Sequence, residues 1–288
     1  MRLIVNPAAG SGRAVRRLHD VRAALRELGL GAEVTLTEDL DDARRTARAA
    51  ADAGELTVAF GGDGLIGAVA GELRGTAGVL GVLPGGRGND FARALAIGSD
   101  PVAACQILAT GRTVALDLGE VDGRPFVGIA SCGIDAEANR IANRVRWLRG
   151  RPVYSYAALA ALAVWRPATF AIALDGGRPR TVSGYAVAAA NAMSYGGGMR
   201  IAPGARLDDG RLDVVIISEM PKTRFLRLAP TVFWGGHVRR SGVEVLRAER
   251  IEVSSSRPLT VYADGDPIAQ LPATIRAVAG AVRVRIPA

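Results

Sequence analysis

Over about the first 118 residues, short apolar runs alternate with segments whose apolar positions recur every three or four residues. Arg2 to Val5 reads as a strand. Val15, Leu18, Val21, Leu25 and Leu28 then share one helical face, which Gly29 closes. Glu33 to Thr37 is the next expected strand. Asp39 to Ala53 follows as a helix, with acids in its first turn and Gly54 beyond its end. Leu56 to Phe60 and Val79 to Leu83 continue the series. This β-α-β-α order predicts a three-layer α/β domain over residues 1–118, a parallel sheet covered by helices.

After residue 119 the pattern changes. Tyr185 to Ala190, Leu212 to Ser218, Ile251 to Ser254 and Leu259 to Tyr262 are β-rich runs. Asp122-Gly123, Asp175-Gly176-Gly177, Asp209-Gly210 and Asp264-Gly265 punctuate this half, and acid-glycine pairs between strands are hairpin signals. Helical insertions are expected at Ile134 to Trp165 and Lys222 to Trp234. Residues 119–288 therefore read as a second, mainly antiparallel domain.

Composition narrows the classes. The 288 residues are 49% hydrophobic, enough to bury a substantial core, and no tract has the polar bias of a disordered segment. No window reaches the ~18 uncharged apolar residues of a transmembrane helix. The start of the chain lacks the longer apolar region of a secretory leader. Two cysteines, Cys105 and Cys132, and two histidines, His19 and His237, lack metal-ligand spacing, and a cytoplasmic protein with reduced thiols is expected. The net charge of +8 is carried almost wholly by arginine, Lys222 being the only lysine. Arginines on solvated faces account for that charge. The functional alternative is attraction to a nucleotide, a membrane surface or nucleic acid. Nucleic acid is the weakest of these, since the arginines are scattered without interleaved aromatics.

Three glycine-rich loops fall at the ends of expected strands: Asn6 to Gly12, Gly61 to Gly64, and Pro84 to Asp90. In a parallel sheet such loops gather on the carboxyl edge, where ligands bind. Backbone N–H groups freed by the turns, with helix N-termini, favour phosphate. Neither G-x-x-x-x-G-K-[ST] nor a G-x-G-x-x-G after the first strand is present, so neutralisation would fall to backbone amides, Arg87 and a metal. Asp63 could act through Mg²⁺ or hold the loop's shape.

NPAAGSG after the first strand, GGDG after the third and PGGRGNDFARAL after the fourth resemble the catalytic domain of diacylglycerol-kinase-like lipid kinases. The resemblance continues in order through NAMSYGGGMRIAPGARLDDGRLDVV (191 to 215) and YADGDPIAQLPATIRAV (262 to 278). GGDG alone is shared with NAD kinases and, more loosely, phosphofructokinases. The resemblance implies an α/β nucleotide-binding domain, a C-terminal β-sandwich over 119–288 with helical insertions, and ATP with Mg²⁺ in a cleft between them. The implied reaction moves the γ-phosphoryl group to a lipid hydroxyl, most simply that of diacylglycerol.

Carried over by position, the ATP-contacting residues are Asn6, Pro7, Ala8, Ala9 and Gly10, then Thr37. Gly61, Gly62, Asp63 and Gly64 follow, running on through Leu65, Ile66 and Gly67, with Arg87, Asn89 and Asp90 in the third loop. The implied proton acceptor is Asp266, paired with Asp264 across Gly265. A structural Mg²⁺ would sit on Asp209 with the backbone carbonyls of Arg206 and Arg211. The chain departs from the family pattern at Leu65, where Thr is usual, and at Gly67 and Ala68, where Asn-Glu is usual. Arg87 stands in place of Thr, and Asp266 in place of Glu. Two hydroxyls are thereby lost, while Arg87 can supply a full charge. Asp for Glu shortens the base by one methylene.

The residues themselves leave alternatives open. Phosphoryl transfer needs in-line positioning, charge neutralisation and a place for the hydroxyl proton; with two isolated histidines, a carboxylate is the natural base. Asp264 and Asp266 also suit a plain hairpin with solvent-facing acids. Asn89-Asp90 reads as an N-cap pair or a substrate contact, Asp135 as a helix cap or a catalytic acid, and Asp209 with Asp213 as a metal-bearing turn or a simple hairpin. The stretch from Arg144 to Arg166 reads as a buried helix, or as a lipid-facing wall with Trp147, Tyr154, Tyr156 and Trp165 at an interface. The expected partners are a lipid substrate at an anionic membrane surface, approached peripherally, and no nucleic acid; a homodimer is left open. The competing functions are a NAD kinase, and a nucleotide- or lipid-binding regulator without turnover.

Overall fold

The computed structural model describes residues 1–145 and 151–288, with the side chains at 135, 139, 143, 151, 152, 154 and 155 outside the description. The chain forms two compact units. Met1–Leu118, Pro125–Val127 and Val278–Ala288 make the first, and Gly119–Arg124 with Gly128–Ala277 make the second.

The first unit opens with β1 (Arg2–Val5), α1 (Arg13–Glu27), β2 (Glu33–Leu36), α2 (Leu40–Asp52), β3 (Leu56–Gly61), α3 (Asp63–Leu73) and β4 (Val79–Pro84), then α4 (Asp90–Ala94) and α5 (Pro101–Thr110). Its parallel sheet has the order β2-β1-β3-β4. β1 feeds outward to β2, and the chain crosses back to β3, so the order reverses between β1 and β3. In open α/β sheets that reversal is where strand-end loops part to admit a ligand. Leu3, Ile4, Val58, Ala59, Phe60 and Leu80 are fully buried in these strands.

The helices form for local reasons. Asp39 caps α2 by accepting the Asp42 N–H at 2.7 Å, and Ala43, Ala47 and Ala50 line its buried face at helical spacing. Asp100 caps α5 by accepting the Val102 N–H at 3.2 Å, with Pro101 at its first position.

The chain continues through β5 (Arg112–Val121) and β6 (Arg124–Phe126), most of whose residues belong to the first unit, and the second unit then draws on β7 (Ile129–Gly133), α6 (Ile134–Arg144), α7 (Arg151–Val164), β8 (Ala168–Leu174), β9 (Arg180–Ala190) and β10 (Leu212–Ser218). There follow α8 (Lys222–Leu228), 3-10 helices at Ala229–Trp234 and Gly236–Arg239, then β11 (Val243–Ala248), β12 (Arg250–Ser255), β13 (Thr260–Ala263), β14 (Asp266–Gln270) and β15 (Ala273–Ile286). Its pairings are antiparallel. β9 is the organising strand: Arg180–Gly184 pairs with β8, Ala186–Ala190 with β7, and its other edge with β10. β7 continues to β13 and β14, and β8 to β12.

A single division at residue 118 does not describe the chain, because β15 is 14 residues long. Its first part pairs antiparallel with β12. Its last part lies parallel to β4 and belongs to the first unit.

Candidate active site

The three glycine loops meet at the carboxyl edge of β1, β3 and β4, and glycine is what lets them meet. A Cβ on Gly10 would stand 2.5 Å from the Gly85 carbonyl oxygen, and one on Gly86 would stand 2.5 Å from the Gly62 Cα. Gly85 and Gly86 both donate their N–H to the Gly61 carbonyl, at 2.8 and 3.0 Å. The first loop also turns through Gly10, Ser11 and Gly12 with φ of 57°, 59° and 82°, a run open to glycine and unfavourable for Ser11.

Within the first loop, the Asn6 side chain accepts the Ala8 N–H at 2.9 Å and its carbonyl accepts the Ala9 N–H at 3.1 Å. Pro7 and Ala8 are exposed at the loop tip, and Ala9 is buried. Thr37, at the end of β2, is buried and donates its hydroxyl to the Val5 carbonyl at 3.2 Å.

The second loop opens α3 at Gly62, which gives the helix no side-chain cap. Asp63 is the first residue of α3. Its Oδ2 accepts the Asp90 N–H at 3.2 Å and its Oδ1 the Phe91 N–H at 2.9 Å. The acid of GGDG thus caps α4 from 27 residues away and holds the third loop in place. Burial raises its carboxyl above the ordinary range, opposed by these two amides, while the neighbouring Asp90 charge adds to the rise. Leu65, Ile66 and Gly67, in the first turn of α3, are buried in the core. They can reach a ligand only through backbone.

Neither side chain of the Asn89-Asp90 pair caps α4. Asn89 sits at φ 51° and takes both backbone groups of Gly86, accepting its N–H at 2.8 Å and donating to its carbonyl at 3.2 Å. Asp90 pairs with Arg93. Arg87 is exposed at the loop tip, 3.5 Å from the Ser11 hydroxyl, and so points a cation outward from the loops.

In the second unit, Asp264 and Asp266 flank the β13–β14 turn and have different surroundings. Asp264, at φ 52°, accepts the Gly128 N–H at 2.8 Å. The Gly128 carbonyl in turn accepts the N–H groups of Asn191 and Ala192, at 2.9 and 3.1 Å. Asp264 therefore ties its hairpin to the start of the NAMSYGGG segment. Asp266 has no hydrogen-bond or ion-pair partner among the described residues. It keeps contact with solvent, yet the protein around it raises its carboxyl above the ordinary value by desolvation.

The turn expected to hold Mg²⁺ is already neutralised. Asp209 accepts the Arg211 N–H at 3.1 Å and pairs through Oδ2 with Arg247. Arg247 also reaches the buried Asp213 at 3.3 Å, and Arg206 grips Asp208 through two bonds of 3.0 and 3.1 Å. No cluster of three His, Cys, Asp or Glu side chains gathers a metal among the described residues. The carboxylates at this turn do not fit a cation in this arrangement, because a guanidinium occupies its place. Nor is the turn a hairpin: Asp209-Gly210 ends the long connection from β9 to β10.

Sequence reasoning missed Arg247 and Gly128, whose partners lie 38 and 136 residues away along the chain. No local motif marks either. Asp135, Trp147 and Tyr154 lie outside the described residues or side chains. Trp165 is buried, with the Arg257 guanidinium stacked 4.5 Å from its ring centroid. No helix among the described residues is long and apolar enough to cross a membrane.

An α/β unit with glycine loops at its strand ends is thus followed along the chain by an antiparallel β unit. Residues 1–121 match the family model of the diacylglycerol kinase catalytic domain, and residues 128–286 match that of the YegS C-terminal NAD kinase beta sandwich-like domain. A diacylglycerol kinase of Mycobacterium tuberculosis (strain ATCC 25618 / H37Rv) is 37% identical over 291 residues, covering 99% of this chain and 94% of its own length. The chain belongs to the diacylglycerol-kinase-type lipid kinase family. A putative diacylglycerol kinase from Bacillus anthracis shares the fold with a TM-score of 0.80 at 21% identity, over 99% of this chain and 96% of its own. An NAD kinase from Archaeoglobus fulgidus, solved in complex with ATP, is a more distant likeness, with a TM-score of 0.53 at 14% identity over 99% of this chain and 93% of its own.

Proposed function

We propose that the chain is an ATP-dependent kinase that transfers the γ-phosphoryl group to the hydroxyl of a lipid alcohol, diacylglycerol foremost. The observation that carries this reading is the approach of Gly10 to Gly85 and of Gly86 to Gly62, where a Cβ on Gly10 or Gly86 would stand 2.5 Å from backbone. Backbone amides there, with the uncapped start of α3, suit a triphosphate. Arg87 adds a full charge where the family usually has a hydroxyl. The roles of Asn6 to Gly10 and of Gly61 to Gly67 are to present backbone, not side chains. Asp63, Asn89 and Thr37 hold the loops that do so.

Asp266 is the proton acceptor. Alone among the acids of the GGDG, DDGRLD and DGD motifs described above, it has no partner among the described residues to surrender before it can receive a proton. The lipid hydroxyl gives its proton to the Asp266 carboxylate as its oxygen attacks the γ-phosphorus, and the bond to the β-γ bridging oxygen breaks to release ADP. Asp264 positions this hairpin through Gly128. Mg²⁺ arriving with ATP would neutralise the β- and γ-phosphate oxygens. The docking of such an enzyme on its substrate is peripheral, at an anionic membrane surface facing the cytoplasm.

Incubating the full chain with γ-labelled ATP, Mg²⁺ and separate panels of diacylglycerol, sphingoid base, phosphatidylglycerol and NAD tests the reading. Label in phosphatidic acid is the expected result. Label in NADP instead would support the NAD kinase reading, for which the shared GGDG speaks. ATP binding with transfer to none of the four would favour a regulator of the same fold.

A further inference from the structure

We infer that one face of the second unit, made by α7, α8 and the 3-10 helix Ala229–Trp234, is the surface on which the protein docks to an anionic lipid bilayer. Six of the nine large apolar side chains exposed among the described residues stand on these elements: Tyr156, Leu159, Val164, Leu226, Phe233 and Trp234. Neither α8 nor the 3-10 helix buries any residue fully. Val164 is 71% exposed and Trp234 63%, in a chain whose other apolar residues mostly reach the core. Large apolar side chains left in water on adjacent elements mark an interaction surface.

The face is firmly seated from behind. Ala161, Leu162 and Trp165 of the α7 segment share one core cluster with Tyr185 and Met220, and Phe225 and Leu228 of α8 pack on it. Phe225 lies 4.6 Å from the Tyr185 ring, and Lys222 Nζ donates to the Ala163 carbonyl at 2.8 Å, linking α8 to the end of α7. Further on, Val232 accepts the Arg200 N–H at 2.9 Å, and the buried His237 ring bonds the Ile201 carbonyl at 2.9 Å. The exposed residues are therefore held outward by a fixed scaffold.

Charge identifies the occupant. From Pro221 to Arg240 there are five cations, Lys222, Arg224, Arg227, Arg239 and Arg240, and no acid. A second copy meeting this face through a two-fold axis would bring like charges together. Anionic headgroups meet the arginines, while Phe233, Trp234 and Leu226 enter the acyl boundary, as aromatic and aliphatic side chains do at membrane interfaces. The inference rests on the lipid-kinase reading only for its purpose, since a diacylglycerol-type substrate resides in a bilayer.

The test is flotation of the full chain, without nucleotide, on vesicles of phosphatidylglycerol and phosphatidylcholine and on phosphatidylcholine alone. The wild type is expected on the anionic vesicles, with binding that weakens as salt rises. Phe233→Ser/Trp234→Ser should lower the vesicle partition about tenfold per side chain at every salt concentration. Arg227→Gln/Arg239→Gln/Arg240→Gln should remove most of the salt dependence. Both variants should keep the wild-type melting temperature and wild-type turnover on dispersed short-chain diacylglycerol. Unchanged flotation of both variants would overturn the docking face. So would a wild-type dimer, seen by ultracentrifugation, that Phe233→Ser/Trp234→Ser dissolves while vesicle binding persists, for the face would then belong to a second copy. A wild type that floats yet phosphorylates neither short-chain diacylglycerol nor the sphingoid base or phosphatidylglycerol of the panel would sink the kinase reading and leave the docking face standing.

Discussion

Both units place glycines beside acids at turns, and they use them differently. At the strand ends of the first unit, glycine provides room: Gly86 and Gly62 lie so near that a Cβ would meet backbone. In the β13–β14 turn of the second unit, glycine provides a dihedral angle. Gly265 sits at φ 99° with nothing within 4 Å of a would-be Cβ. The acids differ in the same way. Asp63 reaches across to another loop's amides, whereas Asp122, Asp175 and Asp264 stand in left-handed turn positions of hairpins. Each of these three also accepts a backbone N–H from a neighbouring segment, from Thr274 for Asp122 and from Glu249 and Arg250 for Asp175. A glycine-acid pair is thus a statement about local backbone. Its use is decided by what packs against it.

The comparison can be broken in graded ways. The largest effect is expected between neighbours in one turn. Asp266→Asn should cut transfer by about 10²–10⁴-fold with ATP affinity kept and no loss of melting temperature, the loss typical of a general base. Asp264→Asn should lower the melting temperature as well, since it disturbs the bond to Gly128. Equal effects of the two substitutions on stability would remove the distinction drawn here.

Next come the glycines. Gly86→Ala forces backbone apart and should cost about 1–3 kcal/mol of stability, as overpacking does, together with most ATP binding. Gly265→Ala meets no atom and should cost only its left-handed angle, about 1–2 kcal/mol, without loss of ATP affinity. Urea titration and nucleotide titration of the two variants give both quantities.

Of comparable size is the guanidinium at the DDGRLD turn. Arg247→Gln leaves Asp213 buried without its counter-charge and should cost about 2 kcal/mol, less than a fully buried pair because Arg247 is half-exposed. Chelation by EDTA should leave the wild-type melting temperature unchanged. A large drop on chelation would return a cation to Asp209.

The smallest effect is in pH. The carboxyl of Asp266 is raised by desolvation, so the folded chain holds this proton more tightly than the unfolded chain. Its contribution to stability is fully present below the unfolded value of about 4 and is lost as pH rises through the raised one. Asp266→Asn should therefore gain stability relative to wild type as pH rises through that window, read from paired melting curves. In the wild type, kcat/KM should fall on the acid side at a pH above the ordinary aspartate value, where Asp266 becomes protonated.

Much of the architecture was legible because it is local. The strands and helices from Arg2 to Pro84 follow from periodicity and capping: Asp39 caps α2, and Gly29 and Gly54 follow α1 and α2 at positive φ. Three of the four acid-glycine pairs are hairpin turns for the same reason. Asp209-Gly210 has the same local chemistry and is no hairpin, because the strands beside it are joined through a long connection. The return of β15 to the first unit was not legible either, since nothing in AVAGAVRVRI says which strand will pair with it. At the site, the glycine loops announced themselves. The engagement of Asp63 with α4 and of Asp209 with Arg247 did not, for both partners lie far along the chain. α8 lies within the helical insertion expected at Lys222 to Trp234, but its exposed Leu226 shows only in the folded chain.

The central claim is that glycine-loop amides present ATP for transfer to a lipid hydroxyl whose proton Asp266 takes. A single-turnover experiment with γ-labelled ATP already bound, mixed with dispersed short-chain diacylglycerol, tests it most directly. Wild type should pass its label to the lipid while Asp266→Asn binds ATP equally and retains the label as ATP. Transfer at the wild-type rate by Asp266→Asn, or none by a wild type saturated with ATP, would contradict it.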